Sequence, residues 1–317
     1  MLTTFIALAG PAFRAFAQVT PNEVENIEFI VTFGDDGETS WGDHDFLQVY
    51  FFVLPETQSQ PFYIRIFDPD TGGKWDELKG KADTRVKYSF FGGKGAYSEP
   101  DSIDFTKEEA YRGGSLIWSR VFDHSPRYDD QWYAIGPFSP LQGEYMEAEK
   151  AYYFKMIAEG LSGDDGNLYK YAISLRPDDN IEAPGANAFT FSYTMRLPDD
   201  PAKVSHIYPF INSDVVAINI HNFDFDHGGK MYLYSVSKNR HPIRTGGDDV
   251  WETSRHKIDP EELNSTIDIQ IVNNGLKNNN IEIVITNEYN KPVPFYTVPI
   301  GGPPKYKYKA TVIYTTE

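Results

Sequence analysis

An octapeptide that occurs twice constrains this chain more than any other feature. FDPDTGGK at Phe67 to Lys74 returns 156 residues later as FDFDHGGK at Phe223 to Lys230, with six of the eight positions identical. Each copy follows an apolar, β-prone run, YIRI before the first and VVAINI before the second. That context predicts a strand running into a carboxylate-bearing glycine turn, twice. A second correspondence supports two like halves: YYFKMIAEGLSGDDGNLYKYAIS and STIDIQIVNNGLKNNNIEIVIT both read strand, Gly-Leu step, polar turn and strand. Both are expected to be hairpins.

The remaining pattern is β almost throughout. ENIEFIVTF, DFLQVYFFV, TRVKYSFF, SLIWSRVF, FTFSYTMRL and MYLYSV alternate or run apolar between Gly, Asp, Asn and Pro clusters, as strands do. AYYFKMIAEG also alternates and reads as a strand, although Glu144 onwards could pass for a helix. The helical candidates are single turns, DFTKEEAY at Asp104 to Tyr111 and DPEELN at Asp259 to Asn264. Many short strands and scarcely any helix predict an all-β fold, two tandem antiparallel β-sandwich domains of jelly-roll or Ig-like type arising from an internal duplication. The Pro-, Asp- and Asn-rich stretch Arg176 to Asn187 is the expected junction, giving domains over 18–183 and 184–317.

At the N-terminus an apolar run from Leu2 to Phe13 precedes Ala15-Phe16-Ala17, the A-x-A pattern of a signal-peptidase site. No Lys or Arg precedes that run. Residues 1–17 are expected to be a signal peptide, with the protein secreted or periplasmic. The chain lacks cysteine, so disulfides, thiolate zinc and cysteine nucleophiles are excluded. With 46 Asp and Glu against 29 Lys and Arg the net charge is -17, which repels phosphate backbones and anionic lipid. Neither nucleic acid nor membrane insertion is expected.

Chemistry is less clearly written. In the first repeat Asp68, Asp70, Asp76 and Glu77 surround Gly72 and Gly73, a D-x-D-x-G-G-x-x-D-E run that offers the oxygens a hard cation such as Ca²⁺ takes from a flexible loop. It is not an EF-hand, because Gly72 and Lys79 stand where ligands should be. The second repeat keeps Asp224 and Asp226 but has Met231, Tyr232 and Leu233 in place of the extra carboxylates. A plain acidic β-turn explains either copy as well. His221, Asp224, Asp226 and His227 form a denser group that imidazole-loving metals could use. No G-x-S-x-G, H-E-x-x-H or phosphate loop is present. Carboxylate pairs such as Asp129-Asp130 and Asp248-Asp249 abound, but chain spacing does not supply the separation that glycoside hydrolysis needs.

Aromatic residues are the other clue. Trp75 and Trp251 lie in glycine- and acid-rich loops and are the expected exposed stacking surfaces for ligand binding. The strand YLYS at Tyr232 to Ser235, and GPF with GEY at Gly136 to Tyr145, resemble segments of small secreted β-sandwich modules appended to exported bacterial proteases and glycan-active enzymes. That resemblance implies a binding or accessory role and assigns no residue. The expectation is a non-catalytic binding or structural module that meets glycan or protein at the cell surface, with Ca²⁺ as a stabiliser. The rivals are a secreted hydrolase or lyase using acidic residues in the loops of the first half, and a subunit of an extracellular assembly.

Overall fold

A computed structural model describes residues 18–99, 113–226 and 229–300. The leader at 1–17, the expected helical turn at Asp104 to Tyr111, and His227 lie outside the described residues. The first half contributes β1 (Gln18–Thr20), β2 (Phe29–Phe33), β3 (Leu47–Pro55), β4 (Phe62–Phe67), β5 (Arg85–Gly92), β6 (Ser115–Phe122), β7 (Trp132–Phe138), β8 (Glu144–Met146), β9 (Ala151–Ser162) and β10 (Gly166–Ser174). The second contributes β11 (Asn187–Thr190), β12 (Ser192–Arg196), β13 (Ser205–Ile211), β14 (Ala217–Phe223), β15 (Lys230–Tyr234), β16 (His241–Ile243), β17 (Trp251–Lys257), β18 (Ser265–Thr266), β19 (Asp268–Val272), β20 (Asn280–Asn287) and β21 (Phe295–Tyr296).

These strands build two antiparallel sheets. One runs β17-β14-β20-β12-β2-β10-β4-β7, with β1 beside β10; the other runs β16-β15-β19-β13-β21-β11-β3-β9-β5-β6, with β8 beside β9 and β18 beside β13. Every core strand of the first half has a counterpart ten places on, and the two sets meet head to head where β12 pairs with β2. Each half places four core strands in each sheet, β2-β10-β4-β7 against β3-β9-β5-β6 in the first. This eight-strand order is that of a jelly roll and not of an Ig domain. AYYFKMIAEG is a strand, β9, and DPEELN forms the short 3-10 turn Pro260–Glu262. No helix among the described residues is long and apolar enough to cross a membrane.

The two expected hairpins are corrected. β9 and β10 lie in opposite sheets, and so do β19 and β20, so each Gly-Leu and polar-turn segment carries the chain across the sandwich. Turn residues announce a reversal without naming the strand that pairs next. At the first corner the choice is made by Asp165, which is fully buried and accepts from the amides of Lys79 (2.8 Å), Asp83 (2.9 Å) and Thr84 (3.2 Å). The corner is thereby tied to the 76–84 excursion and not to its own preceding strand.

The core is continuous between the halves but differs in chemistry. In the first, Tyr50, Phe52, Phe62, Tyr88, Phe90, Phe154, Tyr169 and Tyr171 interlock; in the second, Ile207, Ile218, Ile220, Ile269, Ile271, Ile281, Ile283 and Ile285 replace them. Burying one such side chain contributes about 1.5–3 kcal/mol before entropy is charged against it. β2 is buried on both faces, because Trp41 and Phe46 from the following loop cover its outer side over Phe29, Val31 and Phe33.

Candidate functional site

Each FD corner is pinned to the neighbouring strand in the same way. Phe67 pairs with Trp132 and Phe223 with Trp251. The next amide, Asp68 or Asp224, donates to the carbonyl of Gln131 (3.0 Å) or Val250 (3.4 Å). Asp68 and Asp224 adopt left-handed backbone, φ 54° and 56°, as do Asp130 and Asp249 at 57° and 53°, a conformation that aspartate tolerates better than most residues. Facing each FDxD turn is therefore a second repeated motif, DDQW at Asp129 to Trp132 and DDVW at Asp248 to Trp251. Taken singly those aspartates are unrelated pairs; D-D-x-W recurring after each FDxD copy is the signal in the sequence that joins them.

In the first half the two motifs make a buried acidic cradle. Asp68 and Asp70 are both 0% exposed. Neither oxygen of Asp68 has a well-aligned hydrogen-bond partner, Asp70 Oδ1 has none, and Asp129 Oδ1 has none. Asp70 Oδ2 accepts from the Ser125 amide at 2.5 Å. Ligand atoms of Asp70, His124 and Asp129 all lie within 4.8 Å of one another, and His124 Nδ1 is bonded to the Thr71 carbonyl at 2.7 Å. Burial, reinforced by the surrounding carboxylates and opposed by the nearby Asp130 amide, pushes Asp68 up to about 7. Burial likewise pushes Asp70 up to about 6, against the Ser125 amide. The glycines permit the approach: a Cβ on Gly72 would sit 2.4 Å from His124 Nδ1, and one on Gly73 3.1 Å from the Asp129 side chain.

Asp76 and Glu77, expected to add ligand oxygens here, are engaged elsewhere. The two oxygens of Asp76 accept from the amides of Gly72 and Leu168, each at 2.7 Å. Glu77 bridges Arg196 and Lys79. The carboxylate that joins Asp70 and His124 comes instead from Asp129, about 60 residues along the chain.

The second half assembles Asp224, Asp226 and Asp248 within the same 4.8 Å limit. Asp224 is 2% exposed and accepts from the Asp249 amide at 2.7 Å; burial pushes it up to about 7. His221 does not join this group. Its Nδ1 meets Thr253 Oγ1 at 2.9 Å and its Nε2 meets Thr286 Oγ1 at 3.1 Å, on the sheet surface.

That surface carries a groove of about 460 Å³ lined by His44, His221, Trp251, Glu282, Val284, Thr286 and Asn290. Register explains it. Trp251, Phe223 and Glu282 are direct partners across β17, β14 and β20, so strand alternation places all three on the face opposite Ile220, Ile281 and Ile283. Phe223 and Trp251 lie 5.1 Å apart, and His44, brought in by the loop after β2, packs edge-on against Trp251 at 5.4 Å. Glu282 is buried, accepts from Ser192 Oγ at 3.0 Å and from the His44 amide at 3.4 Å, and stands 3.8 Å from His44 Nδ1. Burial holds Glu282 above the usual carboxylate range, against the Ser192 hydroxyl and the His44 amide, and the neighbouring Asp45 is raised by burial and by the Glu282 charge.

Trp75 and Trp251 are both surface-exposed, at 39%, but differ in freedom. Trp75 donates its indole N–H to Asp130, packs on Phe29 at 5.3 Å and has Lys74 over its ring at 4.5 Å. Trp251 walls the groove. The chain matches neither a protein-family model nor a curated protein sequence.

Proposed function

We propose that this chain is a non-catalytic binding module acting outside the cytoplasm, and that the groove beside Trp251 receives a glycan. The observation that carries the reading is the lining itself: an exposed Trp251 ring backed by Phe223, flanked by His44, His221, Thr286, Asn290 and the Glu282 carboxylate. Sugars are recognised by that combination, an apolar ring face stacked on an aromatic and hydroxyls held by convergent polar groups. The volume, about 460 Å³, lies within the range of small-ligand sites. Export is supported by the Leu2 to Phe13 run and the A-x-A pattern before Gln18; recovery of the protein from the cell exterior beginning at Gln18 is the check, and a retained, intact Met1 terminus argues against it.

The test is a glycan array followed by calorimetry on the best hit. Trp251→Ala is expected to weaken binding roughly 10-fold or more, since loss of a central aromatic anchor removes about 2 kcal/mol, while Trp75→Ala leaves the affinity unchanged. A blank array, or equal affinities for wild type and Trp251→Ala, sinks the proposal.

A second reading rests on one feature of the same groove. Glu282 and Asp45 are close, and both are shifted above the usual carboxylate range, the direction that the general acid of glycosidic-bond hydrolysis needs. Incubating the bound glycan separates the two readings. Cleavage that Glu282→Gln abolishes while binding survives favours the hydrolase; an unchanged ligand favours the binding module.

A further inference from the structure

We propose that the cluster of Asp70, Asp129 and His124, with Asp68 beside it in the same turn, is a binding site for one hard divalent cation of the Ca²⁺ class. Acidic clusters are common on an acidic protein, and two features set this one apart. Asp70 is wholly buried with Oδ1 lacking any hydrogen-bond donor, and that side chain supplies one of the atoms converging within 4.8 Å on Asp129 and His124. Asp68, equally buried, has neither oxygen in a well-aligned bond. Buried carboxylates are ordinarily paired or hydrogen-bonded, because a charge removed from water without compensation is strongly unfavourable. Here no Lys or Arg of the described residues pairs with Asp68, Asp70 or Asp129; Lys74, from the same turn, bonds Asp130 at the surface instead. A divalent ion satisfies several such oxygens at once.

The donor set favours a hard ion. Two carboxylates, Asp70 and Asp129, converge with a single imidazole, His124, which already has Nδ1 bonded to the Thr71 carbonyl, whereas zinc sites draw on several imidazole or thiolate ligands. Gly72 and Gly73, at φ 150° and 64°, let the turn fold against Asp129 and His124 where any side chain would fill the space. The other acidic groups lack these marks. Asp165 has both oxygens occupied by backbone amides, Glu282 accepts from Ser192 and His44, and in the second half Asp224 accepts from Asp249 while Asp248 is exposed. One ion per chain follows.

The experiment is calorimetric titration of EDTA-treated protein with CaCl₂, repeated with MgCl₂, MnCl₂ and ZnCl₂, alongside thermal melts with and without Ca²⁺. The expected result is one Ca²⁺ per chain and a melting temperature several degrees higher with Ca²⁺, since a ligand of the folded state stabilises by mass action. Asp129 is partly exposed, so Asp129→Asn should fold; it is expected to bind Ca²⁺ at least roughly 10-fold more weakly, whereas Asp248→Asn keeps wild-type stoichiometry and affinity. Should Asp129→Asn fail to fold, Asp70→Asn with a circular-dichroism check serves in its place. Absence of Ca²⁺ binding, equal affinity in Asp129→Asn, loss of binding in Asp248→Asn alone, or tighter binding of Zn²⁺ than of Ca²⁺ would each overturn the proposal.

Discussion

Gly163 occupies the corner between β9 and β10 with φ at 83°, and a Cβ there would lie 2.5 Å from Thr84 Cα. The obstacle is backbone, which cannot swing aside as a side chain can. Gly80 has a similarly unusual φ of 128° but nothing within 4 Å of the place a Cβ would take. Gly163→Ala is therefore expected to lose roughly 3 kcal/mol from strain and overlap together, and Gly80→Ala about 1 kcal/mol from strain alone. Urea unfolding of the two variants is the measurement, and equal losses would mean that the corner relaxes freely. At this scale the acidic cradle was only half legible. Asp68 and Asp70 stand out as a repeat, but Asp129 is distant in sequence, and nothing local to Asp76 reveals that its oxygens are spent on the Gly72 and Leu168 amides.

Among elements, the 3-10 turn Pro260–Glu262 shows how a short motif is used. Its Glu262 is fully buried and accepts from His256 Nε2 at 3.2 Å, from the Asp259 amide at 2.7 Å and from Ser235 Oγ. It thus joins β17, the turn and the end of β15. Burial alone would raise the Glu262 pKa; the three donors outweigh it and bring the group down from 4.5 to about 2. A carboxylate depressed in the folded state contributes stability that is complete above its unfolded value and is lost as pH falls through the folded one. Between pH about 4.5 and about 2, wild type should lose stability faster than Glu262→Gln, so that the gap between them, large at pH 6, narrows toward pH 2. Denaturant midpoints across that range test it; a gap independent of pH would show that the donors stabilise the ionised form no better than the amide. DPEELN announced this turn. The partners Ser235 and His256 were not announced, because they arrive from strands that sequence pattern does not align.

For the molecule as a whole, the junction between halves is the informative place. Glu77, in the first half's excursion, forms an ion pair with Arg196 on β12, and Arg196 is held further by Asn280 (2.6 Å) and Asn278 (3.1 Å). Both charged side chains are more than nine-tenths buried. Arg196→Met should destabilise by about 3 kcal/mol, chiefly by leaving the buried Glu77 with Lys79 and a long bond from Asn280 (3.4 Å). Adding Glu77→Leu should recover part of that loss, since removing both charges is far less harmful than removing one. If the double variant instead lost the sum of the single effects, the pair would not be acting as a unit.

The sequence by itself determined the all-β class and the acidic turns, because strand periodicity and glycine or aspartate corners are local properties of the backbone. It also pointed to Trp75 and Trp251 as the exposed tryptophans, since neither sits in an apolar run. Only the tertiary structure decided which sheet each strand joins, that DDQW meets FDPD and DDVW meets FDFD, and that a histidine from one half closes a groove on the other. Pairing, burial and the loss of water around a carboxylate depend on neighbours that are distant in sequence, and those neighbours exist only once the two sheets have closed on each other.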